Sequence, residues 1–209
     1  MNNFTTELLN EKRAREIWDT SKQINLAHPY LKQKYIDIYY DCSIISPVKQ
    51  LNNDIILPIY NSHGSIHNLQ FIKTNGDKQF LYDDCIDGLF IPVTDVTPPD
   101  DRYHQQVIIC ESWETGCTLA NKYPHANVIA AISANNLMHI ALLANGAWDD
   151  CTLIIAADDN RLIPGNPGIT KAKEAAHISG ALLALPQWPL DAPMSLTNFN
   201  DLLVWGQSL

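Results

Sequence analysis

Two apolar runs that each end in acid constrain this chain more than any other feature. Val107-Ile108-Ile109-Cys110 closes on Glu111, and Leu153-Ile154-Ile155-Ala156-Ala157 leads into Asp158-Asp159-Asn160. Short continuous apolar runs are the pattern of strands buried on both faces of a parallel sheet. A carboxylate at the C-terminal end of such a strand stands at the rim where open α/β sheets bind ligands. Two of them in one sheet point to a shared Mg²⁺ site, because Mg²⁺ takes a few carboxylates together with water and phosphate oxygens. Two ordinary strands followed by polar loops give the same pattern, so the runs define a sheet and leave its chemistry open.

The chain has 209 residues, 46% of them hydrophobic, enough for one large domain or two small ones that share a core. No apolar run approaches the length of a membrane span, and no basic-then-apolar leader opens the chain. The five cysteines (Cys42, Cys85, Cys110, Cys117, Cys151) are scattered and form no Cys-x-x-Cys pair, which excludes a zinc ribbon and fits a reducing cytoplasm. The net charge of −9 argues against non-specific nucleic-acid binding by the whole surface, while leaving room for a local basic groove.

Residues 5 to 24 read as a helix of mixed charge whose buried side would draw on Leu8, Leu9, Ile17 and Trp18. His28-Pro29 breaks it, since the residue before proline is pushed out of the α region. Short strands then follow at 55–60, 66–72 and 79–81, with Asn75-Gly76 as a hairpin signal. After the proline-bearing stretch from Thr97 to Tyr103 the period changes. Strands at 107–110, 127–132, 153–157 and 181–185 alternate with helices at 114–122, 136–143 and 170–179, which implies a parallel sheet with helical crossovers. The expected fold is α/β, a parallel sheet flanked by helices and preceded by a smaller β-rich (α+β) subdomain. The expected organisation is an N-terminal helix at 1–27, the small subdomain at 28–96, a linker at 97–104 and the sheet domain with a C-terminal extension at 105–209.

Within that frame Glu111 can bind a metal or act as a general base, and Glu114 in the following turn can simply complement the helix dipole. Asp158 and Asn160 alternate in direction and can face one site; Asn160 is an uncharged ligand, and Asp159 would have to supply the missing charge. Gly165-Asn166-Pro167-Gly168 precedes a helix expected to open at Thr170, either a phosphate cradle or a plain capped loop. Lys78, in Gly76-Asp77-Lys78, is either an exposed turn lysine or a point charge for phosphate. None of the seven histidines shows metal-ligand spacing.

The order of several short segments resembles the TOPRIM-containing primase core of phage and plasmid primases and, more distantly, the bacterial replicative primase. His28-Pro29-Tyr30-Leu31-Lys32-Gln33-Lys34-Tyr35-Ile36 resembles the family's His-Pro-Tyr-Leu-x-x-Lys-Gly-Ile, and Gly76-Asp77-Lys78-Gln79-Phe80-Leu81 its small subdomain. Glu111-Ser112-Trp113-Glu114-Thr115 is similar to Glu-Gly-x-x-Thr, and Ala134-Asn135-Asn136-Leu137 to Ala-Gly-Asn-Leu. Asp158-Asp159-Asn160 sits where the family has Asp-x-Asp, and Phe199-Asn200-Asp201-Leu202 resembles the end of Asp-Phe-Asn-Asp-Leu. Ser112 and Asn135 stand in place of glycines, and Asn160 and Asn198 in place of aspartates.

The resemblance implies metal-dependent synthesis of RNA primers on single-stranded DNA from nucleoside triphosphates. It implies Mg²⁺ or Mn²⁺ on Glu111 and Asp158 with help from Asp159 or Asn160. Lys78 would act with these acids, and Lys73, Lys78, Asn136 and Lys171 would meet nucleotide or template. A replicative helicase or a separate zinc-binding module is the expected partner, with no membrane involved. Two alternatives stay open: an accessory protein with a weakened site that binds nucleic acid or a replication partner, and a TOPRIM nuclease.

Overall fold

The computed structural model describes residues 3–38, 47–83, 86–94, 106–148 and 151–208. The chain opens with α1 (Asn3–Thr20), β1 (Lys22–Gln23) and the short α2 (Pro29–Gln33). Next come β2 (Lys49–Leu51), β3 (Asp54–Tyr60), β4 (Ile66–Ile72), β5 (Lys78–Phe80) and β6 (Ile91–Pro92). The second half runs β7 (Gln106–Cys110), α3 (Trp113–Lys122), β8 (Asn127–Ala130), α4 (Leu137–Ala147), β9 (Thr152–Ala156), α5 (Pro167–Ser179), β10 (Leu182–Ala184) and α6 (Phe199–Gln207).

Strands β1 to β5 form an antiparallel sheet in sequence order. The second sheet has the order β10-β9-β7-β8-β6; its first four strands are parallel and β6 closes one edge antiparallel to β8. This is the expected α/β architecture, a parallel sheet flanked by helices after a β-rich part. Alternation along each strand separates the two faces. Ile108 and Cys110 pack with Trp113, Cys117 and Leu119 of α3, while Val107 and Ile109 pack with Leu137 and Ile140 of α4 and Ala172 and Ala175 of α5. The first face also takes Ile55, Leu57, Ile59 and Ile72 from the antiparallel sheet, so one core joins both sheets. Pro58 is tolerated inside β3 because β2 covers that strand only as far as Ile56.

Several boundaries differ from the sequence expectation. The first helix ends at Thr20, not residue 24, because Thr20 Oγ1 and Ser21 Oγ donate back to the Glu16 and Ile17 carbonyls at 2.8 and 2.6 Å and Lys22–Gln23 turns into a strand beside β2. Its buried face is Ala14 and Trp18 over Ile56, Ile66 and Leu69, whereas Leu8 and Leu9 are exposed. β6, placed by sequence within the small subdomain, belongs to the second sheet. β8 stops at Ala130 rather than residue 132. The expected linker at 97–104, together with Cys42, Cys85 and His104, lies outside the described residues. Cys110 and Cys117 are free thiols. Among the described residues no helix is long and apolar enough to cross a membrane.

α2 carries two terminal devices. At its start the buried His28 caps it: the Tyr30 amide donates to Nδ1 at 3.2 Å, and Nε2 donates to the Asn53 carbonyl at 2.8 Å, which uses both nitrogens of a neutral ring. At its end the Ile36 amide donates to Leu31 O and the Tyr35 amide to Lys32 O, a Schellman closure with Leu31 and Ile36 both buried. That closure puts Tyr35 at φ 50°, in the left-handed region, where the resembling motif has glycine. Tyr35→Gly should therefore stabilise the chain by about 1 kcal/mol, read as a higher urea midpoint at unchanged slope; an equal or lower midpoint would show that the tyrosine is not strained there.

Candidate active site

β7 and β9 are direct neighbours, with Cys110 opposite Ala156. Glu111 and the loop carrying Asp158 therefore leave the same edge of the sheet, the C-terminal edge of parallel strands. Ser112 is extended (φ −115°, ψ 154°) and caps α3 with its hydroxyl, so this position has no need of the family's glycine. Asp158 is buried, and its Oδ1 has no hydrogen-bond partner. Burial, then the Glu111, Glu114 and Asp201 carboxylates, push the Asp158 carboxyl from 3.8 to about 8, with Lys78 opposing. Burial also raises Glu111, opposed by the neighbouring Ala134 backbone amide and the Lys78 charge.

Two ion pairs flank these acids. Lys78 reaches out of β5 to Glu114 Oε1 at 2.7 Å, and Lys34, at the end of α2, reaches Asp201 Oδ1 on α6 at 3.4 Å. Lys78 is thus paired with a buried acid rather than being a loose turn residue. Glu114 does more than complement a helix dipole: it is buried, it takes the Lys78 ammonium, and the Tyr30 phenol stands beside it. Its signal in the sequence is its spacing, one helical turn beyond Glu111. Lys34 and Asp201 stand in motifs that the sequence shows, with nothing there to pair them. Asn200, fully buried, fixes their approach by donating to Lys34 O at 2.8 Å and to Thr118 Oγ1 at 3.0 Å. Asn198 caps α6 by accepting the Asp201 amide at 2.9 Å, a task for which asparagine and aspartate are equally suited.

Other expected residues are committed to the scaffold. Both oxygens of Asp159 are taken, by Asn166 Nδ2 at 2.6 Å and Trp188 Nε1 at 2.8 Å, so it does not turn to supply the charge that Asn160 lacks. Asn160 Oδ1 accepts the Gly168 amide at 2.8 Å, in the first turn of α5. That helix opens at Pro167 under an Asn166 cap, not at Thr170, whose hydroxyl donates back to Gly165 O. The approach is tight: a Cβ on Gly168 would lie 2.3 Å from the Asp158 carbonyl oxygen, so the acidic loop and α5 are built against each other. Asn136 is fully buried, bonded to Gly88 N, Leu89 O and Ala131 O at 2.8 Å each, and has nothing left for a nucleotide. It ties down the turn that presents the Ala134 amide to Glu111, next to Ile132 at φ 74°, a strained value for a β-branched residue. Lys171 pairs with Glu174 along α5, and Lys73 stands across the hairpin from Asp77, its amide bonded to Asp77 O.

Among the described residues no group of three or more His, Cys, Asp and Glu side chains stands close enough to hold a metal ion. What fits a divalent cation is narrower: Glu111 beside Asp158, one of whose buried oxygens lacks any partner.

No protein-family model matches the chain. Its sequence is 29% identical over 162 residues to a DNA primase TraC of Escherichia coli, across 76% of this chain and 15% of that protein, so it spans only a small part of that relative. Its fold matches that of a chain in the bacteriophage T7 lagging-strand DNA polymerase assembly with primase domains bound to an RNA/DNA hybrid and dTTP. That match has a TM-score of 0.56 at 10% identity and covers 90% of this chain and 86% of the other. The DnaG primase catalytic domain bound to single-stranded DNA matches with a TM-score of 0.54 at 13% identity, over 97% and 79%. The chain is homologous to a segment of TraC and has the fold of primase catalytic cores.

The raised Asp158 carboxyl has a thermodynamic signature. Between its ordinary 3.8 and its folded value of about 8, the folded chain keeps a proton that the unfolded chain has lost. Stability without metal should therefore fall as pH rises across that window. Asp158→Asn should flatten the slope and raise stability at the alkaline end, measured by urea unfolding at pH 5 and pH 8. An identical slope in wild type and variant would show that Asp158 ionises normally.

Proposed function

We propose that this chain is the catalytic core of a DNA primase, joining ribonucleotides into short primers on single-stranded DNA during replication of a phage, plasmid or other mobile element. The observation that carries this reading is the unpartnered, buried Asp158 carboxyl beside Glu111, at the strand ends of a chain homologous to TraC. Glu111 and Asp158 would hold Mg²⁺ or Mn²⁺. When bound, the ion supplies positive charge that neutralises a triphosphate and orients the reacting oxygens. Asp158 has to give up its proton first, so cation binding strengthens as pH rises. Lys78 and Lys34 bring positive charge to the same cleft, and Lys73 lies farther along the hairpin for the template strand. The reading places the protein in the cytoplasm, in accord with its free thiols, and takes a replicative helicase or zinc-binding module as partner.

A second reading is an accessory protein with a weakened site. It is favoured by the scaffold bonds of Asp159 and Asn160, which leave Glu111 and Asp158 alone to meet a cation. Two assays separate the readings. Calorimetric titration of Mn²⁺ should show saturable binding that the Glu111→Gln/Asp158→Asn variant loses. Labelled nucleotides should enter primers on single-stranded DNA, with Glu111→Gln slower by about a hundredfold or more at an unchanged fold. Cation binding without primer synthesis selects the accessory protein, and full activity in Glu111→Gln removes that residue from the site.

A further inference from the structure

Glu114 is a buried acid of this site for which the proposed chemistry has no use. It lies in the first turn of α3, where a buried carboxylate needs partners. Oε1 accepts the Lys78 ammonium at 2.7 Å, and the Tyr30 phenol stands beside the same carboxylate. Oε2 is buried without a partner. The three side chains come from α2, β5 and α3, so the cluster bridges the antiparallel sheet and the parallel one. The hairpin that delivers Lys78 rests on Tyr30: a Cβ on Gly76 would lie 3.3 Å from Tyr30 Cε2. Accessibility is unequal within the pair. The Lys78 side chain keeps 31% of its surface exposed and Glu114 only 9%. More of the lysine than of the glutamate therefore faces solvent, the side from which an anion arrives.

A short charge-assisted bond to a buried acid is strong, and an ammonium engaged in one has less to offer a second anion. We propose that Glu114 is a built-in competitor for Lys78. A polyphosphate group arriving from the cleft has to displace Glu114 as the partner of the ammonium, so Glu114 sets the phosphate affinity of the site. The neighbouring Tyr30 phenol is placed to donate to the carboxylate once Lys78 has turned away, which limits the cost of the exchange. This rests on the reading above that Lys78 faces phosphate.

The probe is inorganic tripolyphosphate, titrated calorimetrically into the metal-free full chain. Glu114→Gln keeps the shape and removes the charge. It should bind tripolyphosphate about tenfold tighter than wild type or better, and adding Lys78→Gln should abolish the gain. Affinity equal to or below wild type in a folded Glu114→Gln protein overturns the proposal, as does the absence of binding in every form. Should Glu114→Gln not fold, Tyr30→Phe decides. Without the phenol, Glu114 depends on Lys78 alone, so tripolyphosphate should bind more weakly; unchanged affinity overturns the proposal. Failure of the primase reading is recorded separately, as missing primer synthesis, and a Glu114→Gln gain that survives it leaves the competitor in place.

Discussion

Charge is the constraint from which the rest of this structure follows. The buried Asp158 carboxyl feels three others, Glu111, Glu114 and Asp201, and the two lysines that meet this group come from elsewhere in the chain, Lys78 on β5 and Lys34 at the end of α2. Like charges in a dry site repel strongly, and such a cluster persists only where counter-charges are held in place. The antiparallel sheet, the Schellman end of α2 and the docking of α6 together bring those counter-charges in. Loss of Lys78 would leave the buried Glu114 without its counter-charge, which costs more than the pair contributes.

The pairs divide the acids by task. Glu114 and Asp201 are neutralised within the fold. Asp158 is held protonated by burial and by its neighbours, with one oxygen unbonded. An uncharged carboxyl that can ionise when a cation arrives is a way to keep a metal site folded while empty, because the repulsion is deferred until the charge that offsets it is present. The turn bearing Ala134 adds to this. Its amide stabilises the ionised form of Glu111, and the turn is fixed by Asn136 beside the strained Ile132. Strain of this kind survives only where the surroundings over-determine it, and three hydrogen bonds to one buried asparagine are such surroundings.

Much of the frame was legible in the sequence. The acid-ended apolar runs located β7 and β9 because continuous apolar strands have few other uses, and the change of period after residue 103 separated two kinds of sheet. What was hidden follows from side-chain partners that are remote in sequence. Asn136 matches a recognisable loop, yet its amide was already spoken for by Gly88 and Leu89, some 47 residues earlier. Asp159 looked free because nothing local reveals that Trp188 will point its indole nitrogen there. Leu8 and Leu9 are apolar residues on the wrong side of α1, and periodicity alone cannot tell which stripe meets β4. The start of α5 was misread because a left-handed Asn166, φ 42°, made the cap that Thr170 was expected to make.

Asn160 shows how one substitution can carry two meanings. As a missing carboxylate it weakens a cation site. As a hydrogen-bond acceptor it joins the acidic loop to α5, taking the Gly168 amide at a helix N-terminus where an anion would also be welcome. An aspartate here would make the same bond and add one more charge beside Asp158, which already feels three carboxylates. Asparagine keeps the bond and omits the repulsion. The negative charge near Asp158 is carried instead by Glu114, on a helix rather than a loop, with Lys78 as its partner. Glu114 thus has its own counter-ion, and the cluster as a whole is less repulsive than one with an aspartate at position 160 as well.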